Sequence, residues 1–394
     1  MDGPFVKAKA ILTTLHNNGY QAYFVGGSVR DYLLQRPIGD IDIATSARPE
    51  QIIGLFPKTI DVGAVHGTVI VLYKDEHYEV TTFRTEEGYD DYRRPSYVEF
   101  VTSLHEDLRR RDFTMNAIAM TINGDIIDPF AGKKAIEEKQ IRTVGDPNER
   151  FFEDALRMMR AVRFVSQLSF SLCKDTELAI KENASLLKKI SVERITIEFE
   201  KLLNGPSCQD AIPILITTDL FKYLPGLADD TQHLKELSLY KWDQFQKRAE
   251  IWTLVCYLLN KDDINAFLRN WKLPNKIIDQ VIKNVAFLRK VIQHGWNKRL
   301  LYDCGEESIQ QIERILGVLG VHQDVSASHE FSKLIIKQRS DLKITGEDFL
   351  RWYNQKPGKW VAELYETVEN GILENKVENN KEKIKEWLLS CNQK

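Results

Sequence analysis

Residues 23–43 read YFVGGSVRDYLLQRPIGDIDI, and the fold turns on how that stretch is parsed. The apolar run Tyr23-Phe24-Val25 predicts a buried strand. It ends on Gly26-Gly27, where backbone can turn with φ > 0 and come close to a ligand. Ser28 opens a predicted helix through Leu34, with Asp31 three residues on in the capping-box position. Strand, glycine turn and helix N-terminus together offer free amides and a dipole suited to phosphate. After the break at Arg36-Pro37-Ile38-Gly39, the alternation Asp40-Ile41-Asp42-Ile43 predicts a strand with both carboxylates on one face. Two hard oxygen donors at i and i+2 suit Mg²⁺, which keeps room for substrate phosphates.

Upstream, Phe5, Ala8, Ile11, Leu12 and Leu15 recur at helical spacing and stop at Gly19, a helix expected to cover the first strand. Downstream, residues 49–56 predict a short helix, and 68–73, 77–83 and 97–101 predict strands. Alternation through 77–81 sets Glu79 on one face with His77 and Thr81. There it is either a third catalytic carboxylate beside the aspartates or a solvated edge-strand residue. Residues 84–95, RTEEGYDDYRRP, are too polar and too long for a tight turn. A mobile loop is expected, either plain surface or a lid.

Residues 108–119, LRRRDFTMNAIA, run into an apolar strand at 118–122 and the turn Asn123-Gly124. The triple arginine is either a solvated face or, in this setting, a guanidinium source for triphosphate oxygens, with Asp112 or Asn116 at ribose hydroxyls. From Phe151 the pattern turns helical. Residues 153–164, EDALRMMRAVRF, carry Asp154, Arg157, Arg160 and Arg163 at three-residue steps, which drift by about 60° each around a helix. They form a slanting polar stripe while Leu156, Met159 and Val162 pack elsewhere. An exposed basic face leaves unexplained why Asp154 heads the row. Base chemistry explains it: cytosine and adenine each show an amine donor beside a ring-nitrogen acceptor, which a carboxylate and a guanidinium match. Uracil and guanine show the reverse pattern and would leave polar groups unpaired.

Three motifs resemble one family: GG-x-V-R-D followed by D-x-D (Gly26 to Asp42), R-R-D-F-T-x-N-A (from Arg110) and E-D-x-x-R-x-x-R (from Glu153). They are similar to signatures of the nucleotidyltransferase superfamily that holds tRNA CCA-adding enzymes and bacterial poly(A) polymerases. The third resembles the motif with which class II CCA-adding enzymes select CTP and ATP by protein groups in place of a template. The resemblance implies an α+β nucleotidyltransferase head, a mixed sheet with helices, over 1–150. All-α parts follow: a neck with the selecting helix (151–205), a body (206–297) and a tRNA-binding tail (298–394). Gly27 and Arg30 are implied at the nucleotide, and Asp40 and Asp42 as catalytic Mg²⁺ ligands. Arg111, Asp154, Arg157, Arg160 and Arg163 are implied around the triphosphate and base. Residues 190–203, ISVERITIEFEKLL, resemble a further family helix that supports the selecting one. The implied partners are CTP, ATP and the acceptor and TΨC arms of tRNA, for a monomer or homodimer that adds the 3′-terminal CCA and releases pyrophosphate.

Bulk properties fit a multi-domain globular chain: 394 residues, 43% hydrophobic and 28% charged. A formal net charge of -3 announces no polyanion partner, so any nucleic-acid surface must come from segregated clusters such as Arg93-Arg94, Arg109-Arg110-Arg111 and Lys133-Lys134. Five cysteines without a C-x-x-C pair argue against structural zinc or a disulfide framework. With no secretory h-region and no membrane-length apolar run, a cytoplasmic protein is expected. Rival readings are a poly(A) polymerase, an A-adding-only or CC-adding enzyme, and a non-catalytic RNA-binding relative. A phosphohydrolase H-D module is absent, since none of the eight histidines precedes an Asp.

Overall fold

In the computed structural model, which describes residues 3–63, 67–89, 95–323 and 325–391, the chain opens with α1 (Pro4–Asn17). Proline at the first helical position costs no hydrogen bond and presets φ. The apolar face read from the sequence is the buried one: Phe5, Ala8, Ile11, Leu12 and Leu15. Phe5 meets Phe24 edge-on at 4.9 Å between centroids. Full burial of side chains this size contributes about 1.5–3 kcal/mol each.

The head continues through β1 (Ala22–Val25), α2 (Gly26–Leu33), β2 (Asp42–Thr45), α3 (Pro49–Leu55), β3 (Thr59–Gly63), β4 (Thr68–Tyr73) and β5 (Glu76–Thr82). Next come β6 (Arg84–Tyr89), β7 (Pro95–Phe100), α4 (Leu104–Arg109), β8 (Ala119–Met120), β9 (Ile126–Ile127), α5 (Gly132–Glu137) and β10 (Gln140–Ile141). Seven strands form one mixed sheet in the order β3-β4-β5-β2-β1-β8-β9. Only β2 and β5 pair in parallel; the remaining neighbours are antiparallel. The register sets Val25 opposite Asp42 and Asp42 opposite Glu79, so the end of β1 and two carboxylates lie level across the sheet. Behind them Val25, Ala44, Phe83, Leu108, Ala117, Ala119 and Val144 make one buried cluster.

Three local expectations need correction. The helix begins at Gly26 rather than Ser28, and no capping box forms. The Ser28 hydroxyl donates to the Val25 carbonyl at 2.9 Å, and Asp31 accepts from its neighbour Arg30. Asp40 and Asp42 do not share a strand. Because β1 ends at Val25, β2 finds its first partner at Asp42, and Asp40 stays on the bend before it. Residues 84–89 and Pro95, expected within a loop, are strand. β6 and β7 pair antiparallel from Arg84↔Phe100 to Tyr89↔Pro95, since the β-formers Thr85, Tyr89, Tyr97 and Val98 outweigh the charges between them. The intervening residues 90–94, Arg93 and Arg94 among them, lie outside the described residues.

After the head, α6 (Pro147–Glu153), α7 (Leu156–Leu168), β11 (Ser171–Leu172), α8 (Lys174–Asn183), α9 (Val192–Leu203), α10 (Cys208–Thr217) and α11 (Thr231–Leu237) follow. The single helix expected over 153–164 is broken at Asp154, which takes extended dihedrals (φ -141, ψ 102) and whose carboxylate accepts from the Leu156 amide at 3.1 Å. An Asp satisfies the free amides of a new helix, so it serves as a start where the sequence pattern suggested continuity. α7 packs on α9, the Ser166 hydroxyl reaching the Leu202 carbonyl at 2.6 Å. This compact unit comprises Met1–Leu239 with Asn270–Lys272.

The second unit comprises Tyr240–Arg269 and Leu273–Lys394, and its regular elements among the described residues are all helical. Trp242 and Trp252 are fully buried there, and a buried Asn284 bonds Gln280, Gln311 and Thr253. Cys173, Cys208, Cys256 and Cys304 are free and buried. Burial pushes the Cys256 and Cys304 thiols up to about 12.

One glycine ties fold to site. A Cβ on Gly132 would stand 2.2 Å from the Thr114 carbonyl, inside the short turn Thr114–Asn116. Gly132→Ala is expected to lower stability by about 2–4 kcal/mol, read as the midpoint of urea unfolding, and to weaken nucleotide binding by moving Asn116.

Candidate active site

A cavity of about 450 Å³ opens where β1 turns into α2. Gly26, Gly27, Arg30 and Asp42 line one part of it, and Arg111, Asp154, Arg157, Arg160 and Arg163 another. The structure therefore brings together every expected site residue except Asp40 and Glu79. Gly26 takes φ 71, and a Cβ there would lie 3.1 Å from both Arg111 Nη1 and Asp42 Oδ2. Backbone, guanidinium and carboxylate meet at that point, which only glycine allows.

Asp42 is partly buried and its pKa is pushed up to about 6. Burial is the largest cause, followed by the Glu79 charge; Arg111 pulls it down, Asp40 pushes it up again and Arg30 pulls it down. Glu79 itself is exposed on β5, beside Asp42. Asp40 is exposed, its Oδ1 lying 3.9 Å from His77 Nε2. Among the described residues no three acidic, His or Cys side chains converge closely enough to hold a metal by themselves. Hard carboxylate oxygens that raise one another's proton affinity are nevertheless the donor set a divalent cation relieves, with substrate oxygens completing its shell.

Each arginine is held by a partner, and the i,i+4 spacing of Glu153 and Arg157 already pointed to one of them. Asp107 on α4 is fully buried and takes Arg110 at 2.8 Å and Arg111 at 3.0 Å. Burial pushes its pKa up, but the two guanidinium charges overcome that and leave it below the ordinary value. Its i,i+3 and i,i+4 spacing to them was readable in the sequence. Arg160 pairs with buried Asp112 at 2.6 Å; Asp112 accepts also from Asn116, whose Oδ1 accepts from Arg30 at 2.8 Å. Asp112 and Asn116, expected at ribose hydroxyls, are here the internal links of an Arg160–Asp112–Asn116–Arg30 chain. Although burial opposes ionisation of Asp112, the Arg160 charge and the Asn116 bond hold its carboxyl well below the usual carboxylate range.

Asp154 and Arg157, the pair expected to select the base, are braced as well. Arg157 donates to Glu153 at 2.6 Å and to the carbonyls of Arg110 (3.0 Å) and Arg150 (3.3 Å). Asp154 receives Arg194 of α9 in a two-pronged contact, 2.7 and 3.3 Å. Glu198, one turn further along α9, meets Arg163 at 2.5 Å. The helix read as a support thus acts through Arg194 and Glu198, four residues apart on its polar face. The spacing was visible in the sequence; the partners were not.

A glycine turn at a strand end, an acidic strand beside it and an arginine helix facing both define a nucleotidyltransferase. Family models agree: the poly A polymerase head domain matches residues 22–142, the probable RNA and SrmB-binding site of polymerase A residues 169–231, and the putative tRNA nucleotidyltransferase domain 2 residues 243–388. The CCA-adding enzyme of Geobacillus sp. (strain WCH70) is 50% identical over 397 residues, covering 100% of this chain and 98% of that one. That of Bacillus cereus (strain 03BB102) is 48% identical over 392 residues, 98% and 99% of the two chains. The Bacillus stearothermophilus CCA-adding enzyme, solved in complex with CTP, superposes with a TM-score of 0.94 at 46% identity over 100% of this chain and 98% of its own. The chain belongs to the CCA-adding enzymes. The relatives thereby favour CCA addition over the poly(A) polymerase and A-only readings. Membership implies use of a divalent metal, and among the described residues no helix is long and apolar enough to cross a membrane.

Proposed function

We propose that this chain restores the 3′ end of tRNA in the cytoplasm, adding C, C and A from CTP and ATP with release of pyrophosphate, and that the arginine-lined cavity is where each nucleotide is chosen. The observation that carries this is one cavity lined by Asp154 and Arg157 together with Asp42. Gly26-Gly27 amides and Arg111 supply fixed positive potential at the triphosphate, where charge builds as pyrophosphate leaves. Arg30, Arg160 and Arg163 extend that potential along the cavity. Asp154 accepts from the exocyclic amine of C or A and Arg157 donates to the ring nitrogen, their positions held by Arg194 and Glu153.

Mg²⁺ is the metal that suits these oxygens, held by Asp42 and Asp40 with Glu79 as the third catalytic carboxylate beside them. When bound it would lower the pKa of the attacking 3′-hydroxyl and offset the phosphate charge. The head over 1–150 and neck over 151–205 do this work; the helical body (206–297) and tail (298–394) would grip the acceptor and TΨC arms through phosphate and shape.

The test uses the whole protein, Mg²⁺ and a tRNA transcript lacking its last three nucleotides. Growth by three nucleotides only when CTP and ATP are both supplied is expected. A long A-tail from ATP alone would overturn the proposal.

A further inference from the structure

The ring of Phe164 lies within reach of three cavity arginines. Its centroid is 4.0 Å from the Arg163 guanidinium, 5.2 Å from that of Arg30 and 5.6 Å from that of Arg160. Phe164 lines the same cavity, yet is only 3% exposed. Phe113 holds it edge-to-face, centroids 5.7 Å apart at 87°, and the Phe113 amide donates to Asp112 at 2.8 Å. Ring and counter-ion are therefore fixed by one short segment.

Three like charges around one ring repel, and each is also met by a carboxylate: Arg30 by Asp31 at 2.9 Å, Arg160 by Asp112 at 2.6 Å and Arg163 by Glu198 at 2.5 Å. A carboxylate occupies the N–H edge of a guanidinium and cancels its charge. An aromatic face attracts the cation through its quadrupole and leaves the N–H edge and the net charge in place. Burial lowers the pKa of Arg163; Glu198 pulls it up and the Arg160 charge presses it down again, so that it ends below the ordinary value. Arg163 is also the guanidinium nearest the ring.

We propose that Phe164 is a positioning residue for the nucleoside triphosphate, its π face holding the Arg30, Arg160 and Arg163 cations together on the cavity wall. The proposal rests on the reading of this cavity as the nucleotide site.

Substituting residue 164 with mono-, di- and trifluorophenylalanine weakens the quadrupole stepwise at nearly constant shape. The expected result is a stepwise loss of CTP affinity in equilibrium binding, about tenfold across the series, with the melting temperature unchanged. Phe164→Leu should match or exceed the trifluoro variant. A flat affinity series overturns the proposal even if Phe164→Leu binds weakly, because the ring would then act by packing alone. Arg157→Ala and Arg160→Ala are measured alongside. Weaker CTP binding in them with a flat fluorine series sinks only the role of Phe164. Unchanged binding in them removes the cavity as the nucleotide site, and the proposal with it.

Discussion

Asp42→Asn lowers nucleotide incorporation by about 10³-fold or more, in a protein that melts at a higher temperature than the wild type at pH 7. Both halves come from the same carboxylate. In the folded chain its pKa rises from 3.8 to about 6, burial first and Glu79 next. Between those values the folded protein keeps a proton that the unfolded chain has released. Folding stability therefore falls as pH rises through that window, and the full cost remains above it. A shift of this size corresponds to at most about 3 kcal/mol, which an amide does not incur. Removing the negative charge does not strand the nearby guanidiniums, since Arg111 keeps Asp107 and Arg30 keeps Asp31. Thermal melts from pH 4 to 8 should show the wild type losing stability relative to Asp42→Asn as pH rises. Added MgCl₂ should stabilise the wild type and not the variant. A variant less stable than wild type at pH 7 would mean that Arg111 and Arg30 depend on the Asp42 charge more than Asp42 suffers from its setting.

That trade shows what the sequence could carry and what it could not. Most of the residues that line the cavity were legible, since Gly26-Gly27, Asp42 and the arginine row belong to local patterns whose chemistry is written in their spacing. Core faces were legible for the same reason: Phe5 to Leu15 on α1, and Tyr78, Val80 and Thr82 on β5, bury the sides their periods dictate. The counter-charges were not, apart from Glu153 four residues before Arg157. Glu198 and Arg194 could be placed on one face of α9, but which arginine and which aspartate they meet is fixed only when α9 packs on α7. Asp154 was misread for a different reason. Flanked by good helix formers, it looked like a mid-helix acid, and its backbone break is decided by the amide it caps and by Arg194 pulling on its carboxylate. β6, the partner of the strand expected over 97–101, was hidden because its charges mask a strand pattern that backbone pairing does not need.

The second large effect is on choice of base. Asp154→Ala should lower incorporation of CTP and ATP while UTP and GTP gain relative to them, cutting selectivity on the order of 10–100-fold. The magnitude follows from the 1–3 kcal/mol lost when a buried polar group goes unpaired. Without the carboxylate, the amine of C or A loses its acceptor and the carbonyl of U or G no longer faces a repelling oxygen. Arg194 lets the same effect be approached from a distance. It touches Asp154 through two hydrogen bonds, 2.7 and 3.3 Å, and belongs to α9 rather than to the segment proposed to read the base. Arg194→Ala frees the carboxylate to rotate, so part of the selectivity should go while triphosphate affinity, which we assign to Arg111, Arg160 and Arg163, stays near wild type. Arg194→Lys, which keeps the charge but only one prong, should fall between. Single-turnover incorporation of each of the four nucleotides by wild type and the three variants measures all of this at once. If Arg194→Ala instead slows all four equally, α9 supports the fold of the site and has no part in aiming Asp154; if Asp154→Ala keeps full preference for C and A, the base is read by other groups.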